Sequence, residues 1–168
     1  MVKKFKIKIF ADGADLKSII NLNKKKYISG FTTNPTLMKK AGIRDYKKFA
    51  FSVLKTIKKK PISFEVFADD LTLMKLQARE ISTWGKNVYV KIPITNSKGK
   101  STNKIISELS KEGINLNITA IFTKKQVRET IKALDKNSKS IISVFAGRIA
   151  DTGLDPSSVI KYSIKVSK

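Results

Sequence analysis

Short β-rich runs alternate with longer stretches of helical periodicity along the whole chain. The runs Phe5 to Phe10, Ile28 to Thr32, Ile62 to Phe67, Asn87 to Ile92, Asn115 to Ala120 and Ile141 to Phe145 combine β-branched and aromatic residues and predict strands. Between and after them, Leu16 to Lys25, Asp45 to Lys58, Leu71 to Thr83, Lys100 to Lys111, Lys124 to Leu134 and Ser157 to Val166 predict helices. Six βα units in succession imply parallel strands joined by right-handed crossovers and covered by helices. A doubly wound sheet and a β/α barrel both satisfy that alternation. Two features favour a TIM-type (β/α) barrel: polar residues recur near the C-terminal ends of successive strands, and no glycine-rich dinucleotide loop follows the first strand.

At 168 residues the chain has room for one domain over residues 1–168, and no linker, repeat or low-complexity stretch divides it. It contains no Cys and no His, which excludes thiol nucleophiles, disulfides, the usual zinc sites and imidazole acid–base chemistry. Catalysis must then rest on Lys, Asp, Glu, Ser, Thr or Tyr. No run approaches the ~20 apolar residues of a membrane span, and the basic N-terminus lacks an apolar signal core. A soluble, cytoplasmic protein is the expectation.

The formal charge of +22 first suggests an anionic partner. Yet 31 of the 35 basic residues are Lys, whereas recognition of phosphates and bases favours the guanidinium fork of Arg. The lysines are spread along the chain, and groups such as Lys24 to Lys26 and Lys58 to Lys60 fall where helices end and the helix dipole favours cations. Most of the nine Phe lie inside apolar runs and not among the lysines. The expectation is a solvated basic surface and no specific nucleic-acid partner.

The candidate chemistry sits at the strand ends. Lys91 interrupts the apolar run Val88-Tyr89-Val90-Lys91-Ile92-Pro93 and shares a strand face with Tyr89 and Pro93. Burial there lowers an ammonium pKa and frees an amine to attack a carbonyl; the alternative is a lysine snorkelling from a strand end. Asp12 and Asp15 follow the first strand, Asp15 as the N-cap of the next helix and Asp12 either aimed into the mouth as a proton carrier or as a plain loop residue. In Gly30-Phe31-Thr32-Thr33-Asn34-Pro35, Pro35 suits a first helical turn and Asn34 offers hydrogen bonds to a polyol. Glu65 interrupts another apolar strand, as a functional carboxylate or as the partner of a buried lysine. Asn115, Asn117 and Thr119 alternate with apolar residues and are expected to point inward. After the last strand, Gly147 permits close approach of a ligand, and Arg148 either grips a phosphate or forms a surface salt bridge.

Taken in order, Thr32-Thr33-Asn34-Pro35, Val90-Lys91-Ile92-Pro93, Asn117-Ile118-Thr119 and Phe145-Ala146-Gly147-Arg148 resemble the transaldolase family, particularly its short members, from Phe10 to about Pro156. The resemblance implies a β/α barrel moving a dihydroxyacetone unit from sedoheptulose 7-phosphate to glyceraldehyde 3-phosphate in the pentose phosphate pathway, with neither metal nor organic cofactor. It assigns the Schiff base to Lys91, acid–base work to Asp12 and a catalytic water to Glu65 and Thr119. Asn34 and Asn117 would orient the three-carbon unit, Ser143 and Phe145 would line its pocket, and Arg148 would hold a phosphate. The related fructose 6-phosphate aldolases tend to carry Gln at the position of Glu65 and Tyr at that of Phe145, so transfer is favoured over simple cleavage. Gly13 departs from the Thr or Ser usual after the aspartate. The family also has eight strands, so the resemblance implies a barrel lacking its last two βα units, with exposed strand edges that invite pairing with another copy. A non-catalytic fragment and a nucleic-acid-binding protein are the readings set against it.

Overall fold

In a computed structural model, residues 6–167 are described, and they form a single six-stranded sheet with helices between the strands. The elements are β1 (Ile9–Asp12), α1 (Leu16–Asn23), β2 (Ile28–Thr32), α2 (Pro35–Lys40), α3 (Tyr46–Thr56), β3 (Ile62–Glu65) and α4 (Leu71–Ser82). There follow β4 (Val88–Pro93), α5 (Asn103–Lys111), β5 (Leu116–Ile121), α6 (Lys124–Ala133), β6 (Ser140–Val144), α7 (Ala146–Asp151) and α8 (Ser157–Val166). All five strand pairs are parallel, and the spatial order is the sequence order, β1 to β6. An order with no reversal has no topological switch point, so right-handed crossovers carry every helix to the same face. The result is an incomplete TIM-type barrel, a curled half-barrel with a helix-covered outer face and a concave inner one.

Strand alternation separates the two faces cleanly. Phe31, Ile62, Phe64, Val88, Val90, Ile92, Leu116 and Ile118 point outward and are buried under the helices. The helices answer with apolar stripes spaced three and four residues apart: Phe49, Ala50, Val53 and Leu54 on α3, Met74, Ala78 and Ile81 on α4, and Ile105, Ile106 and Leu109 on α5. Each large side chain so buried contributes about 1.5–3 kcal/mol, and this layer is the main source of stability.

Helix starts follow the expected chemistry. Asp15 accepts from the Ser18 N–H at 2.7 Å, Asn34 from the Leu37 N–H at 2.9 Å with Pro35 in the first turn, and Asp45 from the Lys48 N–H at 2.9 Å. Thr123 and Gln126 form a reciprocal capping box on α6.

The differences from the sequence-based expectation are local. The first strand runs from Ile9 to Asp12 and not Phe5 to Phe10; Phe5 lies outside the described residues, and Lys6 to Lys8 are not strand. β3 stops at Glu65 because the N–H groups of Phe67 and Ala68 both donate to the Gln77 side chain at 2.9 Å. The six-residue helices α2 and α7 are additional. At the two ends of the sheet, β1 and β6 each pair with one neighbour among the described residues. All five residues of β6 are only half-buried, and Ile160 and Ile164 of α8 are exposed beside it.

Candidate active site

The inner face carries a belt of polar side chains at one level. Glu65, Lys91, Asn117 and Ile141 are register partners on β3, β4, β5 and β6, so alternation places their side chains in one row. The row is drawn together by the curl of the sheet. Asn117 donates from Nδ2 to Ser63 Oγ at 2.9 Å, spanning from β5 to β3 across β4, whereas strands two apart in a flat sheet are about 10 Å from each other. Ser143 closes the line from β6, donating to Asn117 Oδ1 at 2.7 Å.

Lys91 is 8% exposed, and its Nζ lies 3.3 Å from Glu65 Oε2 and 3.4 Å from the main-chain oxygen of Thr33, to which it donates. Burial pushes the Glu65 carboxyl above its ordinary value; the Lys91 ammonium works in the opposite direction, and the charge of Asp12 adds to the rise. Glu65 is thus the acid of the site best able to hold a proton. Asp12 lies at the exposed end of β1, accepting from Thr32 Oγ1 at 2.8 Å and, at 3.5 Å, from Asn34 Nδ2. Because Asn34 spends its oxygen on the α2 N-cap, its amide is turned toward Asp12.

Pairing with Lys91 would by itself account for a carboxylate at position 65. It does not account for Thr119. Its hydroxyl is buried and has no hydrogen-bond partner, although it lies on the inner face one register step beyond Asn117. A buried hydroxyl left unpaired costs about 1–3 kcal/mol, so a water or a ligand atom belongs there. Ala120, next in sequence, adopts φ 57°, and the β5–β6 register shifts between Ile118 and Ile121. This bulge re-aims the chain beside Thr119, as bulges near functional sites commonly do.

Below the row, a cavity of about 520 Å³ opens in the half-barrel, lined among others by Phe10, Thr32, Tyr89, Asn117, Ile141 and Ser143. At this level Gly30 leaves room for the Phe10 ring, which a Cβ there would run into. A larger concavity, about 710 Å³, lies outside the sheet between α6, β6 and α8, away from Lys91.

A profile of the transaldolase/fructose-6-phosphate aldolase family matches residues 9–166. The chain belongs to that family. Among its relatives are proteins named "Probable transaldolase". The one from Dehalococcoides mccartyi is 38% identical over 162 residues, which is 96% of this chain and 71% of the relative. That from Streptococcus agalactiae is 39% identical over 155 residues, 92% of this chain and 67% of the relative. That from Methanococcus maripaludis is 38% identical over 160 residues, 95% and 70%.

Of the residues singled out from sequence, Asp12, Asn34, Glu65, Lys91, Asn117, Thr119 and Ser143 share the inner face or its C-terminal rim. Phe145 follows β6 and packs edge-on against Phe122, with ring centroids 5.7 Å apart. Arg148 stands apart. It is exposed on α7, its guanidinium 3.3 Å from Asp151, which is the surface salt bridge foreseen as its alternative. An exposed pair of this kind is worth about 0–1 kcal/mol, so a phosphate would displace it readily. Ser63 belongs to the site as well, and strand alternation, which places it on the face of Glu65, is the one sequence signal for it. Asn115 donates to the Val88 carbonyl at 3.3 Å, a tie between strands.

Proposed function

We propose that the chain is a transaldolase that carries a dihydroxyacetone unit on Lys91. The observation that supports this best is a nearly buried lysine amine 3.3 Å from a carboxylate that burial favours in its protonated form. Glu65 takes a proton from the Lys91 ammonium, and the free amine adds to the C2 carbonyl of sedoheptulose 7-phosphate. The carbinolamine loses water as Glu65, with a water on the Thr119 hydroxyl, returns the proton, leaving an iminium. Asp12 then takes the proton of the C4 hydroxyl. The C3–C4 bond breaks, erythrose 4-phosphate leaves, and the bonding pair passes into the iminium as an enamine. Asn34, Asn117 and Ser143 hold the hydroxyls of the three-carbon unit meanwhile. Attack of the enamine on glyceraldehyde 3-phosphate, protonated by Asp12, and hydrolysis release fructose 6-phosphate and restore the amine. Arg148 leaves Asp151 for the substrate phosphate. This exchange of sugar phosphates is a step of the pentose phosphate pathway.

Release of free dihydroxyacetone without an acceptor is the second reading, that of a fructose 6-phosphate aldolase. The carboxylate at Glu65 and the phenyl at Phe145 favour transfer, since the aldolase branch tends to carry Gln and Tyr there. Borohydride reduction in the presence of fructose 6-phosphate, followed by peptide mapping, tests the assignment. A single adduct on Lys91, absent from Lys91→Ala, is expected, with continued formation of erythrose 4-phosphate from sedoheptulose 7-phosphate that requires glyceraldehyde 3-phosphate as acceptor. Turnover of sedoheptulose 7-phosphate surviving Lys91→Ala would refute the mechanism, and acceptor-independent dihydroxyacetone release would favour the aldolase.

A further inference from the structure

Between β2 and β3 the ladder advances regularly: the Phe31 N–H donates to Pro61 O at 2.9 Å and the Thr33 N–H to Ser63 O at 3.1 Å. The next rung requires the N–H of residue 35 to meet the carbonyl of Glu65. Residue 35 is Pro and has no N–H. That rung is filled from outside the sheet, where the Tyr46 hydroxyl, at the start of α3, donates to the Glu65 main-chain oxygen at 3.0 Å.

Tyr46 is held firmly. Its ring meets Phe67 at 4.6 Å, Trp84 at 5.3 Å and Phe64 at 6.0 Å, each edge to face. Burial, reinforced by the nearby Glu65 charge, pushes its phenol up, so the hydroxyl stays protonated and remains a donor. Thr33 lies against the same hydroxyl and, through its own main-chain oxygen, receives the Lys91 Nζ at 3.4 Å. One phenol therefore stands behind both members of the Lys91–Glu65 pair, touching neither reacting atom.

We propose that Tyr46 is a positioning residue for the Schiff-base step: its hydroxyl supplies the ladder donor that Pro35 lacks and so fixes the backbone from which the Glu65 carboxylate reaches Lys91. The inference rests on Lys91 being the Schiff-base lysine. An unanchored Glu65 carbonyl leaves the end of β3 held on its β4 side alone and loosens the 3.3 Å contact across which the proton passes, and substrate hydroxyls bound by Asn34, Asn117 and Ser143 are unaffected.

Tyr46→Phe removes the hydroxyl and keeps the ring. Borohydride trapping with fructose 6-phosphate should show the rate of adduct formation at saturating sugar falling about tenfold. The KM should stay within twofold, and the final yield should remain one adduct per folded chain. The dependence of that rate on pH should also shift in its acidic limb, where Glu65 titrates. Trp84→Phe, which disturbs the same aromatic cluster and leaves the hydroxyl, should lower the melting temperature without slowing trapping. Because Asn34 is extended (φ −152°, ψ 159°), the peptide nitrogen of residue 35, at the start of α2, leaves Asn34 in the strand direction. Pro35→Ala added to Tyr46→Phe should therefore restore the missing N–H and recover part of the rate. Equal trapping rates for wild type and Tyr46→Phe overturn the inference alone. So does equal slowing by Trp84→Phe, or the absence of any recovery in the double variant. A wild-type chain that forms no adduct on Lys91 overturns the Schiff-base reading and the inference with it.

Discussion

Replacing Lys91 by Met while leaving Glu65 ionisable should make folding stability fall as pH rises. At 3.3 Å the two charges attract by about 5 kcal/mol at an effective dielectric constant of roughly 20, a gross figure largely offset by the cost of burying both ions. Breaking such a pair by removing one partner costs about 3–5 kcal/mol, because the remaining charge is left buried. A carboxylate, unlike a quaternary cation, escapes that cost by taking up a proton. Burial already raises the Glu65 carboxyl, and only Lys91 opposes the rise strongly. In Lys91→Met the folded-state pKa climbs further, and the unfolded value stays near the ordinary 4.5. Below that value both states are protonated and stability is unaffected. Above it the folded state holds a proton that the unfolded state has lost, so the folding constant drops about tenfold per pH unit. The drop levels off once the folded carboxyl itself ionises at higher pH. Urea unfolding between pH 4 and 8 measures this directly, with Lys91→Met/Glu65→Gln as the companion whose profile should lack that slope. A single variant as flat as the double would refute the electrostatic account of the site.

Two further outcomes follow from the backbone and the sheet edges. Ala120→Gly removes the roughly 1–2 kcal/mol that a left-handed conformation costs an L-residue, at an entropic cost of about 0.5–1 kcal/mol. The urea midpoint should rise slightly while kcat falls as Thr119 loses its fixed direction; unchanged kcat would remove the bulge from the catalytic argument. Among the described residues β1 and β6 each pair with one neighbour, so self-association of this 168-residue chain is expected through them, and the charge of +22 should oppose it at low ionic strength. Light scattering should therefore show mass increasing between about 10 mM and 150 mM salt, as the Debye length shrinks from about 30 Å to 8 Å. A monomer throughout would mean that the edges are protected.

Much of this protein was legible in its periodicities. Alternation put Lys91, Glu65, Asn117 and Thr119 on strand faces, and repeated βα units with polar strand ends favoured a barrel over a doubly wound sheet. The Asp15 cap and the first-turn place of Pro35 could be read from residue type and position alone. Helices α2 and α7 could not, because six residues are too few to establish a helical period, and β1 shifted because Lys6 to Lys8 mimic alternation without entering the sheet. The remaining decisions were tertiary. No local pattern says that Asn117 reaches Ser63 across a strand, since that contact exists only when the sheet curls. Nor does one say that Tyr46, nineteen positions before Glu65, completes its hydrogen bonding. Sequence fixes which face a side chain takes because the strand period is local; curvature and register decide which faces meet, because those depend on the packing of all six units.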